Sequence, residues 1–177
     1  MLFSLLRELS EAFGPAGFED EIRSIIRCHI ERVVDSVEVT PLGNLIARKR
    51  GSNARHTLMM DAHMDEVGFM VTVVEPSGFL RFAPLGGWDA RVIPGHRMTI
   101  RATDGSKHLA VVGSTPPHAT SAADRDRPLS IDQLYLDVAC PDAAAVEALG
   151  IRMGSPVVPC TPYVEMGNDA VCGKAFD

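Results

Sequence analysis

The chain has 177 residues, 46% of them apolar, and a formal net charge of −6 with no basic cluster. That composition supports a sizeable core and argues against disorder, against a bilayer-crossing segment of roughly twenty apolar residues, and against nucleic acid as the main partner. The four cysteines, Cys28, Cys140, Cys160 and Cys172, form no C-x-x-C pair and read as reduced, buried thiols of a cytoplasmic protein rather than a disulfide scaffold.

Leu2, Leu5, Leu6, Leu9 and Phe13 recur at helical spacing, and charges mixed into this stretch distinguish it from a signal peptide. Gly14-Pro15-Ala16-Gly17 ends that helix. A second begins near Phe18, with Glu19, Asp20 and Glu21 in its first turn, where carboxylates favour the positive end of the helix dipole. Ile22, Ile25, Ile26, Ile30 and Val33 form its apolar stripe. Residues 37–39 and 45–47 alternate as strands around a Pro41-Leu42-Gly43-Asn44 turn. Residues 57–62 are almost continuously apolar, the pattern of a central strand buried on both faces. Two helices followed by such a strand point to an α/β core.

After Gly68 the character changes to short strands punctuated by turns: residues 69–74, 79–83, 97–102 and 109–112, with Asp104-Gly105 as a hairpin signal. Such strands predict a small β-barrel or sandwich. Trp88, in Leu85-Gly86-Gly87-Trp88-Asp89, suits either an assembly contact or simple packing. Residues 120–128 read as an exposed charged loop, 134–138 as a strand, and 142–149 as a short helix with Asp142 as its N-cap. By Tyr163 the chain returns to the core.

The chemistry concentrates at two places. His63 follows the apolar run, at the strand end where open α/β sheets bind ligands, and Asp65 stands where a carboxylate can hold the imidazole, as partners of metal-bound histidines do. In isolation, His-x-Asp favours an ordinary hydrogen-bonded surface histidine over a metal ligand, since the pattern is common by chance. His29, His56, His108 and His118 read as structural, and Glu165 likewise; Glu66 reads as a local structural residue rather than a general base.

The longer string Leu58-Met59-Met60-Asp61-Ala62-His63-Met64-Asp65-Glu66-Val67-Gly68-Phe69 resembles the first metal motif of the M42 metallo-aminopeptidases. Four further segments match that family in order: residues 9–19, Pro41-Leu42-Gly43-Asn44-Leu45, Pro116-Pro117-His118 and Gly173-Lys174-Ala175-Phe176-Asp177. The resemblance covers the whole chain but only the N-terminal half of the family's length. It implies a partial zinc-peptidase-like α/β core (1–68 and 163–177) interrupted by a β-rich, barrel-like dimerisation domain (69–162). It also implies His63 as ligand of one metal, Asp177 as bridge between two divalent ions (zinc or cobalt), and Asp65 as the catalytic-site carboxylate supporting His63. A carboxylate can span two cations, and two metals about 3.5 Å apart polarise a scissile carbonyl and activate the bridging water. The implied activity is removal of N-terminal residues from peptides by a cytoplasmic homo-oligomer, a dimer or a dodecamer. The family's catalytic Glu, its neighbouring ligand Glu, an Asp and a second His have no counterpart here, so the isolated chain is expected to be inactive. The alternatives are a non-catalytic self-association module and a glycoside hydrolase, the latter disfavoured by a single Trp, two Tyr and no carboxylate pair at a shared cleft.

Overall fold

The structure is a computed structural model that describes residues 2–53, 55–115, 129–167 and 169–176. It opens with helices α1 (Leu2–Glu11) and α2 (Asp20–Ile30), followed by a hairpin of β1 (Ser36–Val39) and β2 (Leu45–Arg48). The acidic start of α2 is where the sequence places it, but the helix stops at Ile30 and leaves Val33 57% exposed. Ile22 is the one member of its stripe that is fully buried; Ile25, Ile26 and Ile30 are half-covered.

Residues 57–62 correct the sequence reading. They form no strand, and Leu58, Met59 and Met60 are 85%, 82% and 89% exposed. A strand exists through its ladder partners, and the flanking strands are engaged elsewhere: β2 pairs with β1, while the next strand, Gly68–Val74, pairs with Leu80–Leu85 and Pro156–Pro159. The run has the composition of a buried strand without described residues to bury it.

The following strands behave differently. β3 (Gly68–Val74), β4 (Leu80–Leu85), β5 (Arg97–Arg101), β6 (Lys107–Ser114), β7 (Leu134–Asp137) and β8 (Pro156–Pro159) close into a barrel in the order β3-β4-β7-β6-β5-β8. Period-two alternation sends one side of each strand inward. On β5, Met98 and Ile100 are wholly buried between outward Arg97, Thr99 and Arg101; on β6, Ala110 and Val112 face in while Leu109 and Val111 face out. Phe69, Leu80, Phe82, Leu134 and Leu136 fill the interior from the other strands, and α3 (Ala143–Ala148) lays Val146 against the same core. Asp142 starts that helix as expected, its Oδ1 accepting the Ala145 backbone N–H at 2.9 Å.

The sequence pattern does not mark β8, because prolines stand at both of its ends and cannot donate to a ladder. It is nevertheless the closing strand, pairing Val157 with Phe69 on one side and Val158 with Thr99 on the other. Gly68 permits the closure: a Cβ there would stand 2.5 Å from the Val157 carbonyl oxygen. Trp88 is a packing residue, stacked on Phe69 with ring centroids 4.7 Å apart. A final hairpin, β9 (Val164–Met166) with β10 (Ala170–Cys172), was likewise unmarked by the sequence pattern and follows the barrel. The cysteines are free, but the expected burial is not found: Cys28 and Cys172 are exposed, and Cys140 and Cys160 are half-buried. Cys28 and its neighbours Arg27 and His29 are exposed residues near the end of α2. The charged loop at 120–128, His118 and Asp177 lie outside the described residues.

Candidate functional site

The segment between the exposed run and β3 carries His63 and Asp65. His63 Nδ1 lies 2.9 Å from the Asp65 backbone oxygen and 3.1 Å from Asp65 Oδ1. Both partners are acceptors, so the neutral ring that satisfies them carries its proton on Nδ1 and leaves the Nε2 lone pair available. The imidazole is 61% exposed and the Asp65 side chain 41%, so the pair stands at the surface rather than in the core. A histidine held from behind by a carboxylate is the arrangement that fixes tautomer and ring direction at metal centres.

The next residue turns inward. Glu66 is buried, and its Oε1 accepts from Lys174 Nζ at 2.6 Å and from the Gly14 backbone N–H at 3.2 Å. Lys174 Nζ also donates to the Ala12 carbonyl at 2.6 Å, while Ser10 Oγ donates to the Lys174 carbonyl at 2.7 Å. The Glu66 backbone N–H reaches Gly14 O at 2.9 Å, which joins residues 14–15 to the start of the barrel as a parallel bridge. Burial pushes the Glu66 carboxyl above its ordinary value, and the Lys174 ammonium and Gly14 N–H draw it part of the way back. This ion pair brings together the His63 segment, the turn after α1 and the Gly173-Lys174-Ala175-Phe176 segment. Sequence reasoning did not single out Lys174; a lysine in an otherwise small and apolar stretch was the available signal.

The other candidates are occupied at the surface. His29 Nε2 is 2.7 Å from Glu8 Oε2, His108 Nε2 is 2.9 Å from Ser106 Oγ, and Glu165 accepts from Arg7 at 3.2 Å. A cavity of about 280 Å³ between α1 and the barrel is lined by Glu11, Phe13, Arg97, Lys107 and Lys174 among others, but by neither His63 nor Asp65. Among the described residues, no cluster of three or more His, Cys, Asp or Glu is placed to hold a metal ion. The donor chemistry of His63, one free imidazole nitrogen backed by a carboxylate, fits one coordination position of a divalent ion such as zinc or cobalt.

The sequence profile of a family described as M42 glutamyl aminopeptidase matches residues 43–177. FrvX of Escherichia coli K12 is 38% identical over 177 residues, covering 100% of this chain and 49% of that protein. Among solved structures, a TET aminopeptidase from Thaumarchaeota archaeon SCGC AB-539-E09 superposes with a TM-score of 0.88 at 33% identity, over 93% of this chain and 46% of that one. The Pyrococcus horikoshii TET1 peptidase, which can assemble into a tetrahedron or a large octahedral shell, superposes with a TM-score of 0.84 at 26% identity, over 98% and 51%. The chain spans about half the length of the curated relatives it matches.

Proposed function

The chain belongs to the M42 glutamyl aminopeptidase family, and from that premise we propose that it supplies the first part of a dinuclear metal-dependent aminopeptidase site acting on peptide N-termini. The observation that carries this reading is His63, its side chain 61% exposed and held at Nδ1 by Asp65, inside the string that resembles the family's first metal motif. His63 would bind one ion through Nε2, and Asp177 would bridge it to a second. Asp65 acts through His63, keeping the proton on Nδ1 and the ring aimed outward. When bound, two divalent ions, zinc or cobalt, would polarise the scissile carbonyl and supply a metal-activated water.

Residues 1–68 and 163–177 belong, on this reading, to a zinc-peptidase-like α/β core, and 69–162 to an inserted dimerisation domain. The outward apolar residues Leu109 and Val111 on β6, 57% and 43% exposed, give the barrel surface that a second copy can use. The assembling TET1 relative supports a homo-oligomer, and a cytoplasmic location suits the free cysteines. The 177 residues alone are inactive on this reading, because the family's catalytic Glu and its remaining metal ligands have no counterpart in them.

Hydrolysis of aminoacyl anilides tests the proposal. A polypeptide of the relatives' length that contains this sequence is expected to be active and chelator-sensitive, His63→Ala in it to lose metal and activity together, and Asp65→Asn to weaken both less. The 177-residue chain is expected to be silent. Chelator-sensitive activity from the 177 residues alone overturns the incomplete-site reading, and hydrolysis of soluble cellulose derivatives in place of anilides overturns the peptidase reading.

A further inference from the structure

Behind the exposed His63–Asp65 pair stand two buried charges whose partners all belong to the protein. The Glu66 and Lys174 side chains are 7% and 9% exposed and meet at 2.6 Å. Stability alone is a poor reason for such a pair, since desolvating two charges is costly and apolar side chains of similar volume often hold a fold as well or better. Direction is what the pair adds. Two of the Lys174 ammonium's three protons go to Ala12 O and Glu66 Oε1, each at 2.6 Å, and Glu66 Oε1 takes the Gly14 N–H as well. Ser10 Oγ then fixes the Lys174 carbonyl at 2.7 Å. A Cβ on Gly173 would stand 2.5 Å from Ser10 Oγ, so the segment seats closely only with glycine there.

Along the sequence, Glu66 follows His63 by three residues and Lys174 precedes Asp177 by three. We infer that Glu66 and Lys174 are positioning residues, locking the His63 segment and the segment leading to Asp177 into one register against the end of α1. This inference rests on the metal-site reading above. It assigns the pair neither ligation nor proton transfer. The pair sets the spacing between two ligand-bearing segments and, through that spacing, the affinity for metal.

The test uses a polypeptide of the relatives' length that contains this sequence and its double variant Glu66→Leu/Lys174→Met, which keeps the buried volume and removes the directional bonds. Zinc affinity is measured by competition with a chromophoric chelator, the cobalt-loaded site by its visible spectrum, and the fold by circular dichroism and thermal melting. The expected result is a folded protein with a melting temperature close to wild type. Its zinc affinity falls about 10- to 100-fold, the range typical when residues supporting metal ligands are altered. The cobalt spectrum changes, and kcat falls more than KM rises.

A folded double variant with wild-type zinc affinity and cobalt spectrum overturns the inference. Should the double variant not fold, Lys174→Gln decides: weakened zinc binding in a folded protein supports the inference, and unchanged binding overturns it. A wild-type protein that binds no zinc or cobalt removes the site itself and this inference with it, a result distinct from metal retained in the variants.

Discussion

The barrel and the segment that leads into it carry similar apolar content and opposite fates. In the barrel, each inward residue meets others from the same closed sheet; Phe69, Leu80, Met98, Ile100 and Leu136 are wholly buried. In residues 58–60, three large apolar side chains in a row stand in the open, each more than four-fifths exposed. Composition is equal to the task in both places. The difference is closure: a barrel supplies both neighbours of every strand, whereas a strand intended for the middle of an open sheet depends on neighbours from elsewhere.

The comparison breaks first at the core. Phe69→Ala removes a ring stacked on Trp88 and edge-on to Phe82, and is expected to cost about 3–5 kcal/mol in urea unfolding. Leu58→Ala in the same 177-residue chain is expected to change stability by less than about 0.5 kcal/mol. Comparable losses at the two positions would mean that residues 57–62 are covered in solution. In a polypeptide of the relatives' length, Leu58→Ala is expected to cost about 2 kcal/mol or more, the scale of a buried leucine.

Between the two regions lies the Glu66–Lys174 pair. Lys174→Met leaves a buried carboxylate without its ammonium and is expected to cost about 3 kcal/mol, most of it regained in Glu66→Leu/Lys174→Met. Failure of the second change to restore stability would show that the cavity or the Ala12 contact, rather than the stranded charge, sets the cost. On the barrel side, Asp142→Ala removes the N-cap of α3 and is expected to cost about 1 kcal/mol, read from a shift in the unfolding midpoint.

The smallest effect is a pH dependence. Burial raises Glu66 above its reference value of 4.5, so the folded protein keeps that proton to higher pH than the unfolded chain does. The stability this group contributes is complete below 4.5 and is lost as pH rises through the raised folded value. Wild type is therefore expected to lose stability relative to Glu66→Gln as pH climbs through that window. The opposite slope would mean that attraction to Lys174 outweighs burial.

What was legible in the sequence follows the same division. Strands β3 to β7 were readable because alternation and turn residues such as Asp104-Gly105 are local signals, and Asp142 was readable as a cap for the same reason. β8 was not, because its two prolines argue against a strand and only the closing geometry overrides them. Residues 57–62 read as buried because hydrophobicity reports what a segment needs, not what surrounds it. At the candidate site, the His63–Asp65 hydrogen bond has the form that the spacing allows, whereas the metal role came from the longer string's resemblance and not from the spacing. Lys174 was missed because its partners, Glu66 and Ala12, stand more than a hundred residues earlier, and no local pattern encodes a contact of that range.

The most direct test is the metal content of a polypeptide of the relatives' length that contains this sequence, wild type beside His63→Ala, after equilibration with zinc and gel filtration. Two ions per wild-type chain, with at least one lost in the variant, is the predicted result. Equal metal content in the two proteins would contradict the assignment of His63.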